Sequence, residues 1–460
     1  MRLHAGPATR SAATLACMVA VAWTSAQAGS DADLATLVDA AVEAKTAQAL
    51  PSCASSAPNG RSGLTIRDGI VTSADLIEEI GGYARAAGTT GGLGGRLLVV
   101  STVGDYDPEA REPAIPGSLR GRLEQVAREK TPAWIVFDPA LGPGARIGLK
   151  NILRVPSNVT IDGSCADITL EAPNDSRTIL AYVASGVSNV VIARVAMRKI
   201  GYVPEQHPHS GSAIVINGDF DRVAILHNDL SECGHSCIDI TISPYKPVPA
   251  LARITVAYNY VRDHDKVLLF GTFDCPLVNG LNQCDGAYFE SNRRSLAGLH
   301  LTLEGNLFLR TGQRHPRVFG RATAHVFNNM VAFQPLTHAN GSPGLTYGVF
   351  VSNGARALVE DNVFLPLGVQ RAPPLAVWTV KSPEALPMPT DTEGFVRLGP
   401  NALLAGVLAS EDQPAEVRQP EYPYTTIPLA GLSLKAALAC LAGRAGRAGS
   451  PAWDKTLCSP

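Results

Sequence analysis

Charge is scarce in this chain: only 17% of its 460 residues are charged, and only 6% are aromatic. The formal net charge is −2, so no bulk attraction to nucleic acid or to an anionic membrane is expected. The apolar run near the N-terminus is too short for a comfortable membrane span. Abundant instead are 43 glycines and 33 prolines, which suit a turn-rich β protein better than a helical bundle. The length allows two or three domains or one large single-core β architecture.

The first 28 residues have the layout of a secretory signal. Arg2 and Arg10 give a basic start, "AATLACMVAVAW" an apolar stretch, and "AQA" at 26–28 a small-x-small cleavage site. "TLAC" makes a poor lipobox, because Cys17 lies inside the apolar stretch. Beyond the signal, eight cysteines remain, at 53, 165, 233, 237, 275, 284, 440 and 458. An even number in an exported chain favours disulfides. Cys275–Cys284 and Cys440–Cys458 would close local loops, with Cys53–Cys165 and Cys233–Cys237 completing the set. Zinc is the alternative, but the paired CxxC spacing it wants is absent.

Five segments share one frame: "VAILHND" (223–229), "ITVAYNYV" (254–261), "LTLEGNLF" (301–308), "AHVFNNMV" (324–331) and "ALVEDNVF" (357–364). Each alternates apolar and variable positions, then reaches an asparagine followed closely by an apolar residue. Asn228, Asn259, Asn306, Asn329 and Asn362 stand 31, 47, 23 and 33 residues apart. The smallest interval is about one coil of a parallel β-helix, and the longer ones carry insertions. Alternation puts one face of each strand in the core. Asparagine tolerates a left-handed bend and can bond to its equivalent one coil above. A β-propeller would want regular blades of about 40–45 residues, which are not found.

The flanks differ. "SDADLATLVDAAVEAKTAQAL" (30–50) and "SLKAALACLAG" (433–443) read as helices. A β-helix leaves open strand edges at both ends, and these capping helices are expected to cover them. The organisation expected is a signal at 1–28, a helical cap at 29–60, a catalytic β-helix at 61–430 and a C-terminal helix with a disulfide-linked tail at 431–460. Residues 367–432 are rich in Pro and Ala and read mostly as loop.

Seven motifs in order then resemble the pectate lyase family, secreted enzymes built on a right-handed parallel β-helix. They are "GTTGGLGG" (88–95), "PGSLR" (116–120), "WIVFD" (134–138), "VPSNVTIDG" (155–163), "DHDKVLLFG" (263–271), "RHPRVFGRATAHVFNN" (314–329) and "YPYTTIPL" (422–429). The resemblance implies an all-β, right-handed parallel β-helix and cleavage of polygalacturonate by β-elimination. The C5 proton of a uronide is weakly acidic, so a base must remove it while cations stabilise the developing charge. By position in these motifs, Arg314 matches the family's proposed proton-abstracting arginine and Lys266 its substrate-contacting lysine. Arginine is an awkward base, since its guanidinium normally stays protonated. Either cation alone would read as a solvated strand end; both inside their motifs point to a site.

Two departures concern the metal and the second arginine. In many members Ca²⁺ bridges substrate and protein carboxylates. Here the first acidic segment reads "SGSAIVIN" (210–217), with Ser210 and Ser212 where carboxylates are expected, and the next reads "HSCID" (235–239). Asp239 is retained as a metal ligand, whereas His235 replaces an acid. One carboxylate cannot supply the six to eight oxygens of a Ca²⁺ site, so Ca²⁺ is weakly supported as a cofactor. Asp219 and Asp221 belong by register to a turn away from the groove. His235 can act as a substrate-binding cation when protonated, or be no more than a corner residue between two cysteines. The family's second arginine falls on Phe319, leaving Arg317 and Arg321 as candidates to bind substrate. "NRR" (292–294) adds cations in an insertion, where charges ordinarily serve solubility.

The expected function is that of a secreted, monomeric uronan lyase acting on an acidic polysaccharide, with no nucleic-acid or membrane partner. A glycoside hydrolase on the same fold would need paired carboxylates, and no convincing pair is in groove register. A non-catalytic uronan-binding β-helix is the third reading. The loss of acids favours it, and the retention of Arg314 and Lys266 opposes it.

Overall fold

The computed structural model describes residues 21–22, 31–47, 63–164, 166–173, 176–201, 211–242, 249–273, 277–278, 281–282, 296–335, 344–368, 375–379, 393–447 and 458. Their strands form three long, mostly parallel sheets of 12, 10 and 9 strands. Each coil of the chain visits all three. The coil at the centre runs from Ala252–Ala257 in the first sheet to Tyr260–Lys266 in the second and Leu268–Phe273 in the third. This is a parallel β-helix, as the repeat implies.

Inward-facing positions of the first sheet stack like on like. Ile192, Ile225, Val256, Leu303, Val326 and Val359 form one file through successive coils, all fully buried. Each added coil therefore buries aliphatic side chains against the coil before it, and that burial is the main driving force for stacking.

The asparagines occupy one corner, as their frame predicts. Asn228 donates to the side-chain oxygen of Asn259 at 3.1 Å, Asn259 to Asn306 at 3.0 Å, Asn306 to Asn329 at 2.9 Å and Asn329 to Asn362 at 2.9 Å. The series ends on Asn401, 3.0 Å from Asn362, a rung not recognised in the sequence. Each amide also bonds to backbone, as Asn306 does to the carbonyls of Val256 and Glu304 at 3.0 Å. The residue before each asparagine bends left-handed: His227, Tyr258, Gly305, Asn328 and Asp361 all have positive φ. A Cβ at Gly305 would fall 2.6 Å from the Tyr258 ring, so only glycine fits that rung.

The terminal helices sit elsewhere than expected. Asp31–Ala47 and Leu434–Arg444 lie together on the outer face of the second sheet, with Leu34, Val38, Val42, Leu434 and Leu438 against Leu307, Leu309, Ala332, Leu365 and Ala402. They cover a sheet face across several coils rather than the open ends. The N-terminal end is closed by a helix the motifs did not reveal, Leu119–Glu129, whose Leu119, Leu123 and Val126 join the core at i, i+4 and i+7. Ser118 caps it by accepting from the Gly121 amide. The stretch 367–432 is not all loop either: it adds strands Leu375–Thr379, Phe395–Leu398, Ala402–Leu403 and Leu408–Ala409 to the coil. Their short apolar runs are separated by Pro-rich segments, which hid the alternation.

"YPYTTIPL" lies back along the first sheet. The Tyr422 hydroxyl meets Thr302 at 2.9 Å and His325 at 2.7 Å, and the Ile427 amide donates to Asn328 at 2.9 Å. Two of the expected disulfides, Cys233–Cys237 and Cys440–Cys458, are formed. Cys53, Cys165, Cys275 and Cys284 lie outside the described residues, as do "NRR", Ser210 and most of the signal stretch. No helix among the described residues is long and apolar enough to cross a membrane.

Candidate active site

The turn from the second to the third sheet gathers the charged residues. Lys266 ends its second-sheet strand and pairs with Gln313 of the next coil. The Leu268 amide donates to the Arg314 carbonyl at 2.8 Å, and the Cys237 amide to the Lys266 carbonyl at 3.1 Å. Three successive coils thus supply His235, Ser236 and Asp239, then Lys266, then Arg314, one above another.

Both cations are half-buried and close enough to feel each other. Burial and the neighbouring Arg314 charge hold the Lys266 ammonium below its ordinary pKa, while Asp265 and Asp239 oppose the shift. Arg314 has φ of 68°, a left-handed backbone that an arginine adopts only under constraint. Its guanidinium donates to the Ser236 hydroxyl at 3.3 Å and bonds the buried Tyr347 phenol, whose pKa burial raises against the Arg314 and Arg317 charges. Arg314 is therefore held from both sides.

Asp239 faces outward from the third sheet and is buried. It accepts from Ser212 and lies 3.3 Å from Nδ1 of His235. Burial pushes its carboxyl up, but bonds and charge from His235 and bonds from the Ser212 and Ser236 hydroxyls outweigh it and hold the group below its ordinary range. Behind this cluster the Cys233–Cys237 disulfide and His264 are fully buried. Burial drives the His264 pKa down to about 3, so that ring stays neutral.

A resident Ca²⁺ does not fit this donor set. The carboxylate at the floor already takes bonds from a serine and a histidine, the flanking positions are hydroxyls, and two cations stand over it. Hard cations need many oxygens, mostly anionic. Among the described residues, Cys233, Cys237 and His264 are the one grouping of metal-ligand types, and its sulfurs are bonded to each other. Asp219 is exposed in the turn at the far end of the third-sheet strand, and Asp221 pairs with Arg253. Neither reaches the cluster.

Arg317 is on the third sheet, one strand beyond Leu269. Its guanidinium lies 5.1 Å from the Phe350 ring and 5.8 Å from the Phe319 ring. Arg321 is separated from the cluster: it sits with φ of 64° in the turn from the third sheet back to the first, its amide bonded to the Asn353 carbonyl at 3.2 Å. The strand Arg317–Val318 lies between it and Arg314. Tyr347 and Ser236 take part in the cluster without having been singled out for it, and Ser212, noted only as replacing a carboxylate, bonds Asp239. Hydroxyls carry no spacing signature, and only the coil register shows what they touch.

Fold and site together define a parallel β-helix with a basic cluster on its third sheet. Residues 148–372 match the family model described as pectate lyase. It is 29% identical over 287 residues to a pectate lyase of Juniperus virginiana, covering 60% of this chain and 65% of that one. It is 28% identical over 289 residues to a pectate lyase of Nicotiana tabacum, covering 60% of this chain and 61% of the other. The chain thus spans less than two thirds of the length of these relatives. Among solved structures, the major allergen from cedar pollen superposes with a TM-score of 0.54 at 22% identity, covering 81% of this chain and 93% of that one.

Proposed function

We propose that the protein is a secreted polysaccharide lyase that cleaves polygalacturonate-type uronans by β-elimination, without a resident Ca²⁺. The observation that carries this reading is the pair Lys266 and Arg314, set on successive coils above the carboxylate of Asp239. Two like charges held together in a half-buried groove repel each other, and an anionic ligand between them relieves that cost. A uronide carboxylate is such a ligand.

In the reaction, Lys266 takes the carboxylate next to C5 and stabilises charge as the C5–H bond breaks. Arg314 receives the proton. It can do so only as a neutral guanidine, since a protonated guanidinium has no acceptor. The C5 electron pair forms the C4–C5 double bond, the C4–O4 bond breaks, and the leaving oxygen takes a proton from water. Ser236 and Tyr347 orient the guanidinium. His235, tied to Asp239, presents a partly exposed ring toward the same groove as a substrate contact, and Arg317 extends the basic floor.

The test is the appearance of ultraviolet absorbance from an unsaturated uronide when the protein meets polygalacturonate. New reducing ends without that absorbance would instead indicate hydrolysis. Binding without either product would leave the groove as a uronan-binding surface.

A further inference from the structure

The outward row of the third sheet continues past Asp239 toward the N-terminus. In register, Asp239 pairs with Val215, Val215 with Tyr182, and Tyr182 with Arg154. At about 4.8 Å per strand, Tyr182 is ~10 Å and Arg154 ~14 Å from Asp239 along the floor. Tyr182 and Val215 are half-buried and Arg154 is exposed. The Arg154 guanidinium lies 5.6 Å from the centre of the Tyr182 ring.

Arg154 forms no ion pair among the described residues, which sets it apart from its neighbours. Arg146 and Arg198, on the adjacent second sheet, share Glu171, and Arg253 on the first sheet holds Asp221. A planar cation stacked on an aromatic face, without a carboxylate, keeps its donor edge available.

We propose that Arg154 and Tyr182 form a distal subsite of the groove that holds a uronate residue of the bound chain. The Tyr182 ring takes the apolar face of the sugar and the Arg154 guanidinium takes its carboxylate. The inference rests on the reading of the groove as a uronan site, and it adds what extends the binding beyond the reacting residues. An α-linked oligogalacturonate long enough to pass Val215 gains a contact that a short one cannot reach. The subsite gives the protein a preference for longer chains.

The experiment titrates galacturonate trimer and hexamer calorimetrically into Arg314→Ala, and into Arg314→Ala that also carries Arg154→Ala and Tyr182→Ala. The hexamer Kd is expected to weaken roughly tenfold on loss of the pair, and the trimer Kd by much less. In the active chain, Arg154→Ala with Tyr182→Ala should raise KM for the hexamer rather than lower kcat. Tyr182→Phe retains the stack and should retain most of the affinity, which separates recognition from any loss of folding. Equal weakening for both lengths, or an unchanged hexamer Kd, overturns the subsite. A wild-type chain that binds the hexamer yet releases no unsaturated product overturns the lyase reading alone, and the two calorimetric arms still decide on the subsite. A wild-type chain that binds neither oligomer overturns both.

Discussion

Two turns of the same coil use their side chains in opposite ways. At the turn between the first and second sheets, each asparagine from Asn259 to Asn362 bonds to its copy on either side, and Asn228 and Asn401 end the series. At the turn between the second and third sheets, Lys266, Arg314, His235 and Ser236 differ from coil to coil, and the cations face a groove. The first turn stabilises the stack; the second holds two like charges together, opposed in part by Asp265 and Asp239. The contrast explains why one turn repeats in sequence and the other does not.

Substitutions should separate the two turns cleanly. The largest effect is expected for Arg314→Ala, which should lower kcat roughly 10³-fold while leaving the melting temperature nearly unchanged, as seen by product absorbance and calorimetry. Arg314→Lys should recover little, because an ammonium does not reproduce the planar fork held by Ser236 and Tyr347. Lys266→Ala should cost about 10²-fold in kcat/KM. If either variant instead unfolds the protein with activity lost only in proportion, the groove turn is structural and the comparison fails.

The other turn should answer in the opposite sense. Asn306→Leu should lower stability by about 1–3 kcal/mol in urea denaturation, because Asn259 loses its acceptor and the carbonyls of Val256 and Glu304 lose their donor. The specific activity of the folded fraction should persist.

A smaller effect concerns pH at this same corner. Burial raises the Glu304 carboxyl to about 7, against the Tyr258 hydrogen bond and the Arg444 charge. Its stabilising contribution is therefore full below the ordinary value of 4.5 and is lost as pH rises through about 7. His227, lowered to about 4 by burial and the Arg194 charge, acts in reverse: its contribution is present above 6.5 and lost as pH falls through about 4. Because the two groups oppose each other, Glu304→Gln should remove the falling component and make stability rise with pH between 4.5 and 6.5, measured by denaturation at each pH. An unchanged slope would assign it to other groups. The smallest effect is expected from EDTA, which should leave the rate on polygalacturonate essentially unaltered. Loss of activity with EDTA and its return with Ca²⁺ would show that the groove acquires oxygen ligands from the substrate.

How much of this was readable in the sequence follows from the same contrast. The coil and its asparagine corner were legible because stacking imposes the same residue at the same place five times. Lys266 and Arg314 were legible only through resemblance, since a single cation carries no period. Asn401 escaped because the strand before it, Phe395–Leu398, follows a long Pro-rich interval. Helix Leu119–Glu129 escaped because it is polar on most of its surface and shows only three core residues. Arg321 was grouped with Arg317 by proximity in sequence, but a strand of only two residues is enough to carry the chain from one edge of the groove sheet to the other.

The unequal coil lengths have a practical consequence. Asn259 and Asn306 are 47 residues apart and Asn306 and Asn329 only 23, yet the amide contacts across both intervals are 3.0 and 2.9 Å. Each rung senses only its nearest neighbours, and a longer loop adds little closure entropy. The interval between two rungs can therefore be lengthened, shortened or exchanged while the stack on either side keeps its register.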